Sequence, residues 1–212
     1  MSVGLFVIGV VAYVVGCIPT AWIVMKLRNG ADIRMEGSGN VGARNFYELT
    51  GKKVLSTLIA VIDAAKGAAI IAAVTWHYPD QFLAAAIAAT CVVIGHNWNV
   101  VLGGKGGRGL ATALGVFAIL NPVFIVIWAI AYVTGYYVIR RNIHIATIVA
   151  CIGTALLAWS TPDTAMTVTT RIVLPDATSM RVLIAAICFL LFVRQIEPVR
   201  EFLSTSGFSD DE

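Results

Sequence analysis

The residues best suited to chemistry lie in a glycine-rich stretch from Gly103 to Gly109, here called the second glycine loop. Five glycines and two cations, Lys105 and Arg108, occupy its seven positions between two long apolar runs. Glycine lets a ligand approach the main chain closely, and free N–H groups beside a lysine and an arginine can hold an anion. The pattern fits phosphate binding and a turn whose cations only set membrane topology equally well.

Residues 36–45, the first glycine loop, form a second glycine-rich stretch. Gly37, Gly39 and Gly42 fit the pattern G-x-G-x-x-G, but the dinucleotide-binding form of that motif follows a β-strand. An apolar run long enough for a membrane helix precedes the first glycine loop instead. The second glycine loop is not a P-loop, since Gly106 follows Lys105 where serine or threonine is required. Two such loops on one membrane face predict a shared phosphate site.

The composition requires membrane helices to position these loops. Of the 212 residues, 58% are hydrophobic and 13% charged, with a net charge of +3. Apolar runs in such a chain are read as membrane spans. A basic patch with interleaved aromatics is missing, which argues against a nucleic-acid partner. Histidines and cysteines do not occur at metal-binding spacing, so we expect no metal, and no cofactor motif is found.

The apolar runs predict an all-α membrane protein, a compact bundle of about seven transmembrane helices. The expected spans are 3–25 with a kink at Pro19, 54–76, 82–96, two short helices within 110–139 that meet at Asn121-Pro122, 143–159 and 182–193. Residues 160–180 are expected to form an outer loop. One integral-membrane domain would cover residues 1–200, followed by a short polar and acidic tail at 201–212.

The distribution of cations predicts the orientation of the chain. Lysines and arginines concentrate in residues 26–53, at Arg140-Arg141 and after residue 193. Cytoplasmic loops carry such an excess, which places the N-terminus outside and the C-terminus in the cytoplasm. Both glycine loops would then face the cytoplasm.

Charged groups inside the second span need an explanation. Asp63 and Lys66 lie three residues apart, so they share a helical face and should pair in the protein interior. A structural tie between helices and a catalytic role both remain open, and Gly67 would let another helix approach closely. His96, beside the second glycine loop, suits a structural hydrogen bond and a general base equally well.

Four motifs together resemble the bacterial acyl-phosphate:glycerol-3-phosphate acyltransferases. They are Gly16-x-Ile18-Pro19-Thr20-Ala21, the first glycine loop from Gly37 to Asn45, Asp63-x-x-Lys66-Gly67, and Gly95-His96 with residues 105–112. Their order and spacing match the family over residues 1 to about 150.

The resemblance implies a seven-span inner-membrane enzyme with cytoplasmic active-site loops. Such an enzyme moves an acyl chain from acyl phosphate to the 1-hydroxyl of glycerol 3-phosphate, giving lysophosphatidic acid and phosphate without a covalent intermediate, a metal or a cofactor. Its partners would be acyl phosphate, glycerol 3-phosphate and membrane lipid, and an enzyme that forms acyl phosphate is a candidate partner.

The resemblance and the residue chemistry together give a set of expected site residues. The expected catalytic residues are Ser38, Asn40, Arg44, Asn45, His96 and Lys105. The expected phosphate- and substrate-binding residues are Gly37, Gly39, Gly42, Gly104, Gly106, Gly107, Arg108 and Gly109. Asp63 and Lys66 are expected to form a structural intramembrane pair.

The chain departs from the family pattern at several positions. Arg44 and Glu48 stand where the family has threonine and a phosphate-binding arginine, so Arg44 either supplies the missing cation or pairs with Glu48 four residues on. Gln195 and Pro198 replace a histidine and an asparagine used in catalysis. Acyltransfer to another acceptor, binding without turnover, and a small-anion carrier are therefore alternatives, and a purely structural membrane subunit is a weaker one.

Overall fold

The computed structural model describes residues 3–206, which form ten α-helices and no strand. The helices are α1 Val3–Gly16, α2 Thr20–Asn29, α3 Ala43–Thr50, α4 Lys53–His77, α5 Phe82–Asn97, α6 Leu110–Leu120, α7 Val123–Thr134, α8 Ile143–Ser160, α9 Asp163–Thr169 and α10 Ala177–Ser206. Short 3₁₀ turns occupy Ile33–Met35 and Val100–Leu102, and a π-helical turn, Gly135–Ile139, extends α7.

Length and composition make this chain a multi-pass membrane protein. Within the described residues, five helical stretches are long and apolar enough to cross a membrane: Val3–Asn29, Lys53–His77, Phe82–Leu102, Ile143–Ser160 and Ala177–Ser204. Two shorter apolar helices, Leu110–Leu120 and Val123–Ile139, complete the bundle. The predicted all-α bundle is confirmed, while the count of seven crossings and the orientation of the termini stay predictions.

The predicted break at Asn121-Pro122 is confirmed. Asn121 is extended and fully buried between α6 and α7, and its amide donates to the hydroxyls of Thr169 and Thr170 at 2.9 and 3.0 Å. Proline disfavours a helical conformation for the residue before it, so Asn121 leaves the helix. The two threonine hydroxyls then accept hydrogen bonds from the Asn121 side-chain amide. Helix α6 therefore ends inside the protein.

Pro19 divides the first span into α1 and α2 rather than only kinking it. The Lys66 ammonium group donates to the carbonyl oxygens of Gly16 and Ile18 at 3.1 and 3.0 Å, at the interruption between these helices. Lys66 also pairs with Asp63 at 3.0 Å, and Asp63 accepts from the Thr20 hydroxyl at 2.9 Å. The predicted buried pair is confirmed, and its contacts tie α4 to the break.

Close helix packing depends on glycine at two crossings. Helix α4 packs along α6, where Gly67 lies against the carbonyl oxygen of Thr112 and leaves no room for a side chain. Helix α1 packs along α5 in the same way, with Gly95 against the carbonyl oxygen of Tyr13. Small residues allow such backbone approach in membrane helices, where dispersion contacts stabilise association. The close approach predicted at Gly67 is confirmed.

Two boundaries near the C-terminus differ from the prediction. Residues 160–180 are not one loop, because α9 forms within them and α10 already begins at Ala177. Helix α10 passes through Pro198 to Ser206, well beyond the predicted end of the last span at 193. The division into one domain and a tail from residue 201 stays a prediction. The acidic end of the tail, Asp210 to Glu212, lies outside the described residues.

Candidate active site

The two glycine loops meet at one end of the bundle. The backbone N–H of Val41 donates to the carbonyl oxygen of Gly106 at 3.4 Å, and the Arg34 guanidinium donates to the carbonyl oxygen of Leu102 at 3.2 Å. Loops separated by about 60 residues of sequence thus form one surface. The expected juxtaposition of the two loops is confirmed.

Asn45 organises the first glycine loop from behind. Its side chain is 1% exposed, and its Oδ1 accepts from the Ser38 N–H at 3.1 Å. Its Nδ2 donates to the carbonyl oxygens of Ile33, Glu36 and Asn40 at 3.3, 3.2 and 3.0 Å. Its side-chain oxygen and nitrogen both form hydrogen bonds with backbone atoms, and it lines none of the cavities described below. These contacts place Asn45 where it positions the first glycine loop, and its predicted catalytic role stays a prediction.

An ion pair fixes the start of the same loop. The Asp32 carboxylate accepts from the Arg34 Nε at 2.9 Å and from the Arg34 backbone N–H at 3.0 Å. The Arg34 guanidinium therefore holds the pKa of Asp32 well below its usual range. With its charge paired, Arg34 is fixed in the position from which it reaches the second loop.

Arg194 and His96 hold the second glycine loop in place. The Arg194 guanidinium donates to the carbonyl oxygens of Gly107 and Gly106 at 3.1 and 3.2 Å. The Gly107 N–H donates to the carbonyl oxygen of His96 at 2.9 Å, and Gly107 lies directly on the His96 ring, where a Cβ would not fit. The sequence alone marks Arg194 only as a topological cation, because its contact with the loop spans 87 residues.

Three cavities run from the loops into the bundle. The loop cavity, about 240 Å³, lies between the two glycine loops and α10. The central cavity, about 300 Å³, lies next to it among residues of α3 to α8 and α10. The apolar cavity, about 210 Å³, lies among α6, α7, α8 and α10.

The three cavities are neighbours that share wall residues. Asn40 and Arg108 line both the loop cavity and the central cavity. Leu110, Ala111 and Trp128 line both the central and the apolar cavity. The lining changes along this path from cations and backbone to hydrocarbon, an arrangement that suits a ligand with an anionic head and an apolar tail.

The predicted site residues divide among these cavities. The loop cavity is lined by Ser38, Gly39, Asn40, Gly104, Lys105, Gly106 and Arg108. The central cavity is lined by Asn40, Gly42, Arg44, Asp63, His96, Arg108 and Gly109. Gly37, Asn45, Lys66 and Gly107 line neither and support the residues that do.

The central cavity has a strongly positive environment. The N-termini of α3, α6 and α8 all reach its wall, and helix N-termini present partial positive charge and backbone N–H groups. Arg108 lines the same wall, and its pKa is lowered because it is largely buried and because Arg194 and Arg44 lie nearby. An anion in this cavity would relieve the repulsion between these cations.

Several buried polar atoms of the central cavity lack a protein partner. Among the described residues, Asn40 Oδ1, Trp128 Nε1 and Gln195 Nε2 have no hydrogen-bond partner. Leaving such a group unsatisfied costs about 1–3 kcal/mol, so a polar ligand that reached it would be stabilised. These atoms mark positions where a ligand can be oriented.

Sequence reasoning missed the wall contributed by α7, α8 and α10. This wall includes Trp128, Tyr132, His144, Thr147 and Gln195. All five lie in or beside apolar runs and match none of the motifs used above. Only Gln195 carried a signal, because it occupies the position of an expected histidine.

Comparison with known proteins agrees with this geometry. A profile of the family described as glycerol-3-phosphate acyltransferase matches residues 6–205. The chain belongs to this family. The expectation drawn from the four motifs is confirmed, and the match extends through α10, well beyond the motifs.

Members of the family with curated descriptions align with part of the chain. The glycerol-3-phosphate acyltransferase of Clostridioides difficile strain 630 is 41% identical over 126 residues, which cover 55% of this chain and 59% of that protein. The enzyme of Thermoanaerobacter sp. strain X514 is 36% identical over 148 residues, covering 70% and 73%. The chain thus aligns with little more than half the length of some of these relatives.

Solved structures of the family share the whole fold. PlsY, an integral membrane glycerol 3-phosphate acyltransferase, in its glycerol 3-phosphate form, superposes with a TM-score of 0.76 at 27% identity, covering 95% of this chain and 93% of PlsY. The lysophosphatidic acid form of PlsY gives a TM-score of 0.73 at 25% identity, with the same coverage.

Proposed function

We propose that this protein transfers an acyl chain from acyl phosphate to the 1-hydroxyl of glycerol 3-phosphate, releasing lysophosphatidic acid and phosphate. The observation that supports this most is the succession of three neighbouring cavities, from the cationic loop cavity through the central cavity to the apolar cavity, which share wall residues. The named PlsY structures hold a phosphorylated polyol and its acylated product, ligands of the type this path would suit.

The chemistry of acyl phosphate fits the residues along this path. Acyl phosphate is already activated as a mixed anhydride, so direct attack by the hydroxyl can proceed without a covalent enzyme intermediate. Ser38, Lys105 and Arg108 would bind the phosphate groups, and the N-terminus of α6 would add backbone donors. Removing one donor that stabilises developing negative charge typically lowers the rate by about 10²–10³.

The membrane placement follows from the same proposal. The bundle would cross the inner membrane seven times, with both glycine loops on the cytoplasmic side and the acyl tail in the apolar cavity. The head group would stay near the interface, where soluble glycerol 3-phosphate can reach it. Acyl phosphate would come from a cytoplasmic or membrane-bound enzyme that forms it.

Purified full-length protein tests the proposal directly. The protein is incubated with palmitoyl phosphate and glycerol 3-phosphate, and lysophosphatidate is measured by mass spectrometry beside phosphate release. Arg108→Gln should lower turnover at least about a hundredfold. Arg171→Gln is the matched control, because Arg171 donates to the carbonyl oxygen of Ala118 outside the three cavities. Wild-type protein that makes no lysophosphatidate and releases no phosphate would refute the proposal.

Acyl transfer to a different acceptor is the second candidate function. The Arg44 guanidinium donates to the Glu48 carboxylate at 2.6 Å, so the cation expected to bind substrate phosphate is at least partly engaged within α3. Phosphate release that requires another polyol phosphate, and not glycerol 3-phosphate, would favour this function. A small-anion carrier gains no support, because Asp63 and Lys66 are occupied with each other and with the α1–α2 break.

A further inference from the structure

The central cavity contains two histidines with different surroundings. His96 is 7% exposed, its Nδ1 faces Asp63 Oδ1 at 3.9 Å, and the Nε2 side of its ring lies against Gly107. Main chain and a neighbouring carboxylate thus enclose that ring. His144, in the first turn of α8, is half-buried and makes side-chain contacts across the cavity.

The contacts of His144 orient its ring. Its Nδ1 lies 2.7 Å from the amide oxygen of Gln195, and its Nε2 lies 3.5 Å from Nη1 of Arg108. With the Gln195 amide in this orientation its oxygen accepts a hydrogen bond, which assigns the proton of His144 to Nδ1 and the lone pair to Nε2. Gln195 is 1% exposed and therefore holds this arrangement firmly.

The lone pair of His144 Nε2 faces Arg108, whose Nη1 can donate to it across 3.5 Å. Arg108 lines both polar cavities, and a substrate phosphate that binds this guanidinium would draw it from Nε2 and free the lone pair for a hydroxyl proton. A polyol phosphate bound by Arg108 would bring a hydroxyl within reach of Nε2. A base, a group that orients it and a neighbouring anion site form the arrangement used for general-base catalysis.

We propose that His144 is the general base of the acyl transfer and that Gln195 is its positioning residue. This inference rests on the proposed function. The Nε2 lone pair takes the proton of the acceptor hydroxyl while the hydroxyl oxygen bonds to the acyl carbonyl carbon. The bond from that carbon to the phosphate oxygen then breaks, and phosphate leaves with the electron pair. The departing phosphate accepts the proton from the imidazolium, which returns His144 to its neutral form.

The pair of His144 and Gln195 lies where the chain departs from the family pattern. Gln195 occupies the position where a catalytic histidine is expected, and here its side chain holds a histidine that comes from α8 instead. The two side chains are 51 residues apart in sequence and meet only in the folded bundle.

The charges around His144 come from several elements. Arg108 faces it from the second glycine loop, and Arg44 and Glu48 act on it from α3. Tyr132 of α7 lines the same cavity, and Gln195 of α10 contributes a neutral amide. Since Arg44 and Glu48 pair with each other, changes at Gln195 should dominate the pH response.

The pH dependence of lysophosphatidate formation tests the inference. His144→Gln should lower kcat by about 10²–10⁴ and remove the acid limb of the pH–rate profile, while the KM for glycerol 3-phosphate changes by less than about threefold. His77→Gln is the matched control, because His77 is exposed at the end of α4, where its Nδ1 lies 2.9 Å from the carbonyl oxygen of Ala73 in the same helix, and it lines none of the three cavities. It should leave the rate and the profile unchanged.

Gln195→Glu tests the inference independently, because this variant keeps His144. A carboxylate at this position stabilises the imidazolium, so the acid limb should move to higher pH by roughly one unit. An unmoved limb in Gln195→Glu, or a kcat within about threefold of wild type in His144→Gln, would overturn the assignment. Wild-type protein without activity would instead count against the proposed function, so the two failures are distinguishable.

Discussion

Replacing Asn45 by aspartate would remove the donors that hold the first glycine loop while keeping the shape of the side chain. Three hydrogen bonds from Nδ2 to the carbonyl oxygens of Ile33, Glu36 and Asn40 would be lost, while the bond from the Ser38 N–H would remain. At about 1 kcal/mol for each lost bond, the variant should be destabilised by about 3 kcal/mol. For a chain of 212 residues this corresponds to a fall in Tm of roughly 6–12 °C.

Asn142→Asp is the matched control for this prediction. Asn142 caps α8 through Oδ1 alone, which accepts from the N–H groups of His144 and Ile145 at 2.8 and 3.1 Å. Aspartate caps a helix as well as asparagine does, so Tm should change by less than about 2 °C. Thermal unfolding of detergent-purified protein measures both variants. Equal Tm values for the two variants would refute the role assigned to Asn45.

Three further predictions concern the packing and charges that support the site. Lys66→Met leaves Asp63 buried without its cation, which should lower the free energy of unfolding by about 3–5 kcal/mol. A thermal scan that shows no destabilisation would contradict the structural role described for this pair. Gly67→Ala, whose methyl group would meet the α6 backbone, should cost about 1–3 kcal/mol, whereas Gly153→Ala meets only Ala131 at 3.5 Å and should not lower Tm. Arg194→Lys loses the planar contact with two carbonyl oxygens of the second glycine loop. The KM for glycerol 3-phosphate should therefore rise about tenfold, with little change in Tm. An unaltered KM would argue against a role of Arg194 in holding this loop.

Local chemistry explains why the helices could be predicted closely. The runs predicted at 54–76, 82–96 and 143–159 match α4, α5 and α8 to within one residue at each end. Proline marked the interruptions at Pro19 and Asn121-Pro122, because it removes an N–H and restricts the residue before it. Pro198 shows the limit of that rule, since α10 continues through it to Ser206.

Local signals also identified most of the site. Glycine, serine, asparagine and cations within two short stretches indicated a phosphate site, and most of those residues line the loop and central cavities. The expected pairing of Asp63 with Lys66 followed from the cost of placing charge in a membrane. These conclusions needed only residue type and spacing.

The sequence by itself determined an all-helical membrane protein with two glycine-rich loops and a buried ion pair, because hydropathy, proline and local charge act over a few residues. Only the tertiary structure decided that Asn45 supports the loop from behind, that Arg194 braces Gly106 and Gly107, and that His144 meets Gln195. These contacts join residues on different elements, and the packing of the helices alone brings them together. The order of the three cavities, from cationic to apolar, likewise depends on how α6, α7, α8 and α10 pack.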